Sequence, residues 1–135
     1  MSSLPIFDVA GSALSAQSVR INTLASNLAN ADSVGSTADS AYKPLEPTFE
    51  SVPLRDATGL SAVAVTRVDP QDKPAIQRYE PGHPMADAQG YVYAPDIDPV
   101  AQMVNLISAS RGYQANVEVL NSARELALAT LTIGR

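Results

Sequence analysis

The chain has no cysteine, no tryptophan, a single histidine and only two phenylalanines, Phe7 and Phe49. Without cysteine there is no disulfide framework, no thiolate metal site and no cysteine nucleophile, so the fold holds without covalent staples. Aromatics make up 5% of 135 residues, and any core is therefore built from Leu, Ile, Val and Ala. Basic residues are also scarce: nine against fourteen acidic, a formal net charge of -5, and Lys43 and Lys73 as the only lysines. That balance, with no basic run, excludes a phosphate-backbone binder. No run of about 18 apolar residues occurs, so no membrane span is predicted. The opening MSSLPIFDVAG lacks the basic and apolar regions of a cleaved secretory signal, and none is expected. At 14.2 kDa the chain suffices for one modest core and is too short for a multidomain enzyme.

What is present is distributed unevenly. Positions 6–31 carry two charges and positions 99–133 carry four, whereas 16 of the 23 charges lie between 32 and 98. The two ends are alike and the middle differs. Eight of ten prolines fall between Pro44 and Pro95, which excludes a long helix there.

Phe7, Leu14, Ile21 and Leu28 recur every seven residues, with Ala10, Leu24 and Ala31 three positions further on, which predicts one long helix. Pro5 suits its first turn, Asp8 suits the positive end of its dipole, and Asp32-Ser33-Val34-Gly35 stops it. At the other end Asp98-Pro99 reads as a helix cap followed by proline. From there Met103, Leu106, Tyr113, Val117, Leu120, Ala127 and Leu131 follow a seven-residue pattern broken at Ser110 and Arg124. The helices predicted are roughly 40 Å and 50 Å long at about 1.5 Å per residue. Strands are expected over 60–68, 75–79 and 90–93, and a loop over 32–41. The fold class is thus mainly α with a small β part. Long terminal helices pair as a coiled-coil-like core over 1–35 and 98–135, and a Pro-rich, short-stranded outer segment spans 36–97.

Neither helix is stable without a partner. The faces opposite the two stripes carry Ser12, Asn22, Ser26, Asn27 and Asn30 at one end and Asn105, Ser108, Asn116 and Asn121 at the other, in place of the Lys and Glu of a solvated surface. Small uncharged polar groups are buried readily when hydrogen-bonded, and both ends read as multi-helix interfaces. We expect Leu14, Ile21, Leu24 and Leu28 to pack against Leu106, Tyr113, Val117 and Leu120, with Asn27, Asn30, Gln114 and Asn116 hydrogen-bonding around the seam.

Candidates for chemistry are few. His83 has Glu80 and Asp87 nearby but no third or fourth ligand on a defined geometry, and a turn histidine explains it better. Asp96 and Asp98 stand just before a helix, where capping is the better account. There is no nucleophile elbow, phosphate loop or Ser/His/Asp set, so no cofactor, metal or small-molecule substrate is expected. A hydrolase built on His83, Asp96 and Asp98 is the weakest reading. A self-contained helical adaptor that grips one amphipathic helix is a stronger alternative.

The stretch Ser12-Ala13-Leu14-Ser15-Ala16-Gln17, continuing to Ala25-Ser26-Asn27-Leu28-Ala29-Asn30-Ala31-Asp32, resembles the N-terminal signature of bacterial flagellar rod and hook proteins. Tyr79-Glu80-Pro81-Gly82-His83-Pro84, Gly90-Tyr91-Val92 and the run Ser108 to Val117 are similar to the proximal rod members of that family. Ser33 stands where many members have Thr, six residues separate Gly35 from Tyr42-Lys43, and Gln102 stands where an acid is usual. The resemblance implies a structural axial subunit whose terminal helices pack with those of neighbours in a helical assembly, exported without a cleaved signal into the periplasm. It implies as partners other rod proteins, proximal and distal, and the adaptor and membrane ring at the rod base, and it implies a role in carrying torque.

Overall fold

The computed structural model describes residues 5–54 and 59–133, so the ends of the expected first and third segments, 1–4 and 134–135, lie outside it. The helices are α1 (Pro5–Ala29) and α2 (Pro99–Ile133), and between them run β1 (Leu45–Pro53), β2 (Ser61–Pro70), β3 (Ile76–Tyr79) and β4 (Tyr91–Ala94). The class is mainly α with a small β part. The strands pair in two antiparallel hairpins, β1 with β2 and β3 with β4.

Local chemistry sets the helix ends. Pro5 opens α1, where its missing N–H costs nothing, and Asp8 lies in the first turn. At the far end Ala31 N–H donates to Leu28 O at 3.2 Å and Ser33 N–H to Asn30 O at 3.1 Å, three-residue spacings that tighten the chain into turns two residues before the expected stop. For α2, Asp98 Oδ1 accepts from Val100 N–H at 2.9 Å and Ala101 N–H at 3.3 Å, capping two N–H groups that have no partner in the helix.

The helices run antiparallel. Ile6 lies beside Ala123 and Leu126, a Cβ at Gly112 would meet Gln17 Nε2 at 3.3 Å, and Leu24 and Asn27 share a cleft with Ala101 and Gln102. Among the named elements α2 touches only α1, whereas α1 also carries both strands of the β1–β2 hairpin.

The seven-residue pattern of α2 is displaced by one residue at alternate positions. Its inward face is Gln102, Leu106, Ala109, Asn116, Leu120, Ala123 and Ala127. Leu106, Leu120 and Ala127 stand as expected, but Met103 and Val117 are exposed, and Gln102 and Asn116 take the inner positions. This register removes the two apparent breaks, because Ala109 and Ala123 fill the levels assigned to Ser110 and Arg124. On α1 the buried residues are Ala10, Ala16, Thr23 and Asn27, of which Ala16 lies beside Phe49 and Val63 of the β1–β2 hairpin, while Leu14, Ile21, Leu24 and Leu28 are half-buried.

Strands β2, β3 and β4 lie where strands were expected. β1 was not expected, because Pro47 and Pro53 interrupt it and its residues do not alternate in character. Both prolines are accommodated because each strand of a two-stranded sheet is an edge. A bulge between Thr48 and Phe49 shifts the register from Thr48 opposite Arg67 to Phe49 opposite Val65.

The smaller hairpin is tied to the loop after α1 by Gly35, whose N–H donates to Tyr93 O at 2.8 Å and whose carbonyl accepts from Tyr93 N–H at 3.0 Å. A Cβ at Gly35 would lie 2.5 Å from Ser40 Oγ and 2.9 Å from Ala41 N. Because part of that obstacle is backbone, Gly35→Ala is expected to lower stability by about 1–3 kcal/mol. A urea denaturation midpoint unchanged from wild type would refute it. Gly90 closes the same hairpin with φ +86°, and Val92 beneath it is the largest fully buried side chain among the described residues.

Candidate assembly interface

Hydrogen bonds join α1 to the outer hairpin. Asn27, 3% exposed, donates through Nδ2 to Leu45 O at 2.9 Å, and its Oδ1 accepts from Leu45 N–H at 2.8 Å and from Tyr42 Oη at 3.0 Å. Ser26 Oγ lies 3.1 Å from the same Tyr42 hydroxyl. One side chain thus pairs with Leu45 as a neighbouring strand would, at the point where β1 begins. Four turns earlier Ser12 Oγ donates to Val9 O and accepts from Val63 N–H at 3.1 Å. Asn27 therefore bonds to the middle of the chain and not around the α1–α2 seam. Asn30 and Asn116 bond to carbonyls of their own helices, at Ser26 and Gly112, and Gln114 is exposed.

The α1–α2 contact is of another kind. No hydrogen bond or ion pair between the two helices is found among the described residues, and the buried Gln17 Oε1 and Gln102 Oε1 have no partner. Among the described residues the two helices meet through side-chain packing.

The apolar surface follows the same division. Of the twenty large apolar side chains exposed among the described residues, α2 carries ten and α1 only Ile6. They occupy several sides of α2: Val104 is 61% exposed, Leu126 68% and Leu131 69%. Large apolar side chains left in water on several sides of one helix mark a surface that other molecules cover. Tyr113 and Val117 are among the exposed ten, whereas Leu106 and Leu120 are half-buried. An apolar groove of about 460 Å³ lies where Ile6 meets Ala115, Val119, Ala123 and Leu126.

The total accessible surface is 9130 Å², against about 6,800 Å² for a compact monomer of this mass. The excess is on the order of a whole standard protein–protein interface.

The residues considered for chemistry have structural work. Asp98 caps α2, Asp96 lies 3.8 Å from Lys73 Nζ, and His83 Nδ1 accepts from Met85 N–H at 3.1 Å. Among the described residues no group of three His, Asp or Glu could hold a metal ion, and no helix is long and apolar enough to cross a membrane.

A helix pair in which one member exposes ten large apolar side chains on several sides has a surface of the kind that partner molecules cover. Two family models match such a chain: the flagella basal body rod protein model over residues 7–36 and the flagellar basal body rod FlgEFG protein C-terminal model over 88–133. Over 135 residues and the whole of both chains, it is 49% identical to the flagellar basal-body rod protein FlgC of Salmonella typhimurium and 50% to that of Escherichia coli O157:H7. Similarity to the FlgC of Aquifex aeolicus is 39% over 121 residues, 88% of this chain and 87% of the other. The chain belongs to the FlgC family of flagellar basal-body rod proteins. The relatives are structural rod proteins and not enzymes.

Proposed function

We propose that this chain is a structural subunit of the flagellar basal-body rod, in its proximal part. It polymerises through α1 and α2 with other rod proteins and with the adaptor at the rod base. The observation that carries this reading is the unburied apolar circumference of α2, with a total surface far above that of a compact monomer. In this reading the helices pair in coiled-coil fashion and lie in the core of the rod, and residues 36–97 form its outer segment. Leu14, Ile21, Leu24, Leu28, Leu106, Tyr113, Val117 and Leu120 contribute to the helix core and to contacts between subunits. The contacts are heterologous, so copies add without closing a ring and form a helical assembly. The rod stands in the periplasm, reached by export without a cleaved signal. Helices gripped by several neighbours resist shear, and the rod thereby passes torque from motor to hook.

Leu24→Asp tests this reading. Leu24 is half-buried on the wall of the cleft where α1 faces the first turns of α2, beside Ala101 and Gln102, so Asp there removes apolar contact between the helices and puts a carboxylate in its place. In cells lacking their own copy of this rod protein, the wild-type chain is expected to restore swimming and the variant to fail. Restored motility with Leu24→Asp would sink the reading. The self-contained adaptor would grip one helix in the groove at Ile6. That groove accounts for one side of α2 and leaves Val104 and Leu131 uncovered.

A further inference from the structure

We infer that α1 and the β1–β2 hairpin form a single cooperative unit from which α2 is excluded, so the outer hairpin docks and undocks with the folding of α1. The inference deepens the rod reading: it names the device by which the state of a core helix reaches the outside of the subunit.

The argument rests on where the polar bonds run. Two hairpin amides, Leu45 N–H and Val63 N–H, donate to side chains of α1 and not to the opposing strand. Their acceptors, Asn27 and Ser12, are 15 residues apart, which is about 22 Å along a helix. Both acceptors are correctly placed only when α1 is helical between them. Conversely, each loses its hairpin partner when the hairpin leaves. The bonds at Asn27 are part-buried and the Ser12–Val63 bond is exposed, and each holds the hairpin in the position that the other requires, so a helix that frays at either end weakens the docking at both. Tyr42 strengthens the tie by bridging Ser26 and Asn27 from the chain that leads into β1. α2 shares in none of this: it touches no strand, and no hydrogen bond joins it to α1 among the described residues. Cooperative units of native proteins are contiguous sets of such mutually dependent bonds, and they open at different free energies within one chain.

The test is site-resolved amide hydrogen exchange on the full-length wild-type protein under rising urea, followed at Leu45, Val63, Leu24 and Leu120. The expected result is that Leu45, Val63 and Leu24 lose protection with one common midpoint, while Leu120 follows a different one. Leu45 or Val63 tracking Leu120, or the two hairpin amides parting from Leu24, would overturn the inference. Asn27→Asp adds a second reading: it keeps an acceptor for Leu45 N–H but replaces the donor to Leu45 O with a carboxylate oxygen. Exchange at Leu45 is expected to accelerate by about tenfold or more, with acceleration also at Val63, remote from the substitution. A change confined to Leu45 would mean two local contacts and no unit. Should Asn27→Asp fail to fold, Tyr42→Phe removes only the hydroxyl bridge, and its smaller acceleration must again appear at both amides. None of these outcomes depends on assembly, so failure here leaves the motility test of Leu24→Asp untouched, and the reverse also holds.

Discussion

Replacing Asn27 with alanine is expected to cost about 2–4 kcal/mol, a large share of the 5–15 kcal/mol that holds a domain of this size together. The side chain is buried and makes three bonds, two to the Leu45 backbone and one to the Tyr42 hydroxyl. Truncation leaves the Leu45 N–H and C=O facing a small cavity at the start of β1. A β-strand edge normally finds a second strand or water at such groups, and here a helix side chain takes that place. The penalty is therefore mainly that of stranded backbone groups and only in small part that of lost packing. The check is a pair of urea denaturations, Asn27→Ala beside Asn30→Ala. Asn30 bonds only to the Ser26 carbonyl of its own helix, so its loss is expected to cost no more than about 1 kcal/mol. Equal midpoints for the two variants would show that the bonds to Leu45 contribute nothing special. In cells, the Asn27→Ala subunit is expected to restore motility poorly and the Asn30→Ala subunit well.

That contrast also shows how far sequence alone reaches. The helices were legible because apolar recurrence, Pro5, Asp98-Pro99 and the low charge of both ends all point the same way. The shortage of Lys and Glu on the outer faces of the helices signalled surfaces that require burial, and the exposed apolar residues of α2 have that character. The exact inward stripe was not legible. A count of large apolar residues finds Met103 and Val117, whereas close helix packing selects Ala109, Ala123 and the Gly112 backbone, which carry little hydrophobic signal. β1 was missed for a related reason. Its partners are a hairpin neighbour and an asparagine 18 residues earlier, and neither leaves a local pattern in Leu45–Pro53. Asn27 was singled out by the family signature, yet no pattern in the sequence pairs it with Leu45. Tyr42, lying in the loosened segment where this chain departs from many hook and rod proteins, supplies a polar bridge that spacing could not forecast.

Two substitutions on α2 are expected to fail by opposite routes, and together they separate the face it turns to α1 from the face it turns outward. Ala109 is 1% exposed on the inward face, so Ala109→Phe forces a ring into an alanine-sized space and parts the helices. Overpacking of this kind costs about 1–3 kcal/mol, and a chain whose core is mostly alanine has few larger neighbours that can give way. The isolated subunit should lose stability, seen as a lower urea midpoint, and motility should fall as a consequence. Val104 is 61% exposed, so Val104→Asp places a carboxylate where water already reaches. Isolated-subunit stability is then expected to stay within about 0.5 kcal/mol of wild type. Assembly is another matter. If neighbouring subunits cover Val104, each interface buries an unpaired charge in an apolar setting, and the rod does not form. Normal folding with lost motility is therefore the signature of a face that functions only in the assembly. Full motility with Val104→Asp would leave this side of α2 facing solvent in the finished rod, and the apolar circumference would then need an explanation other than subunit packing.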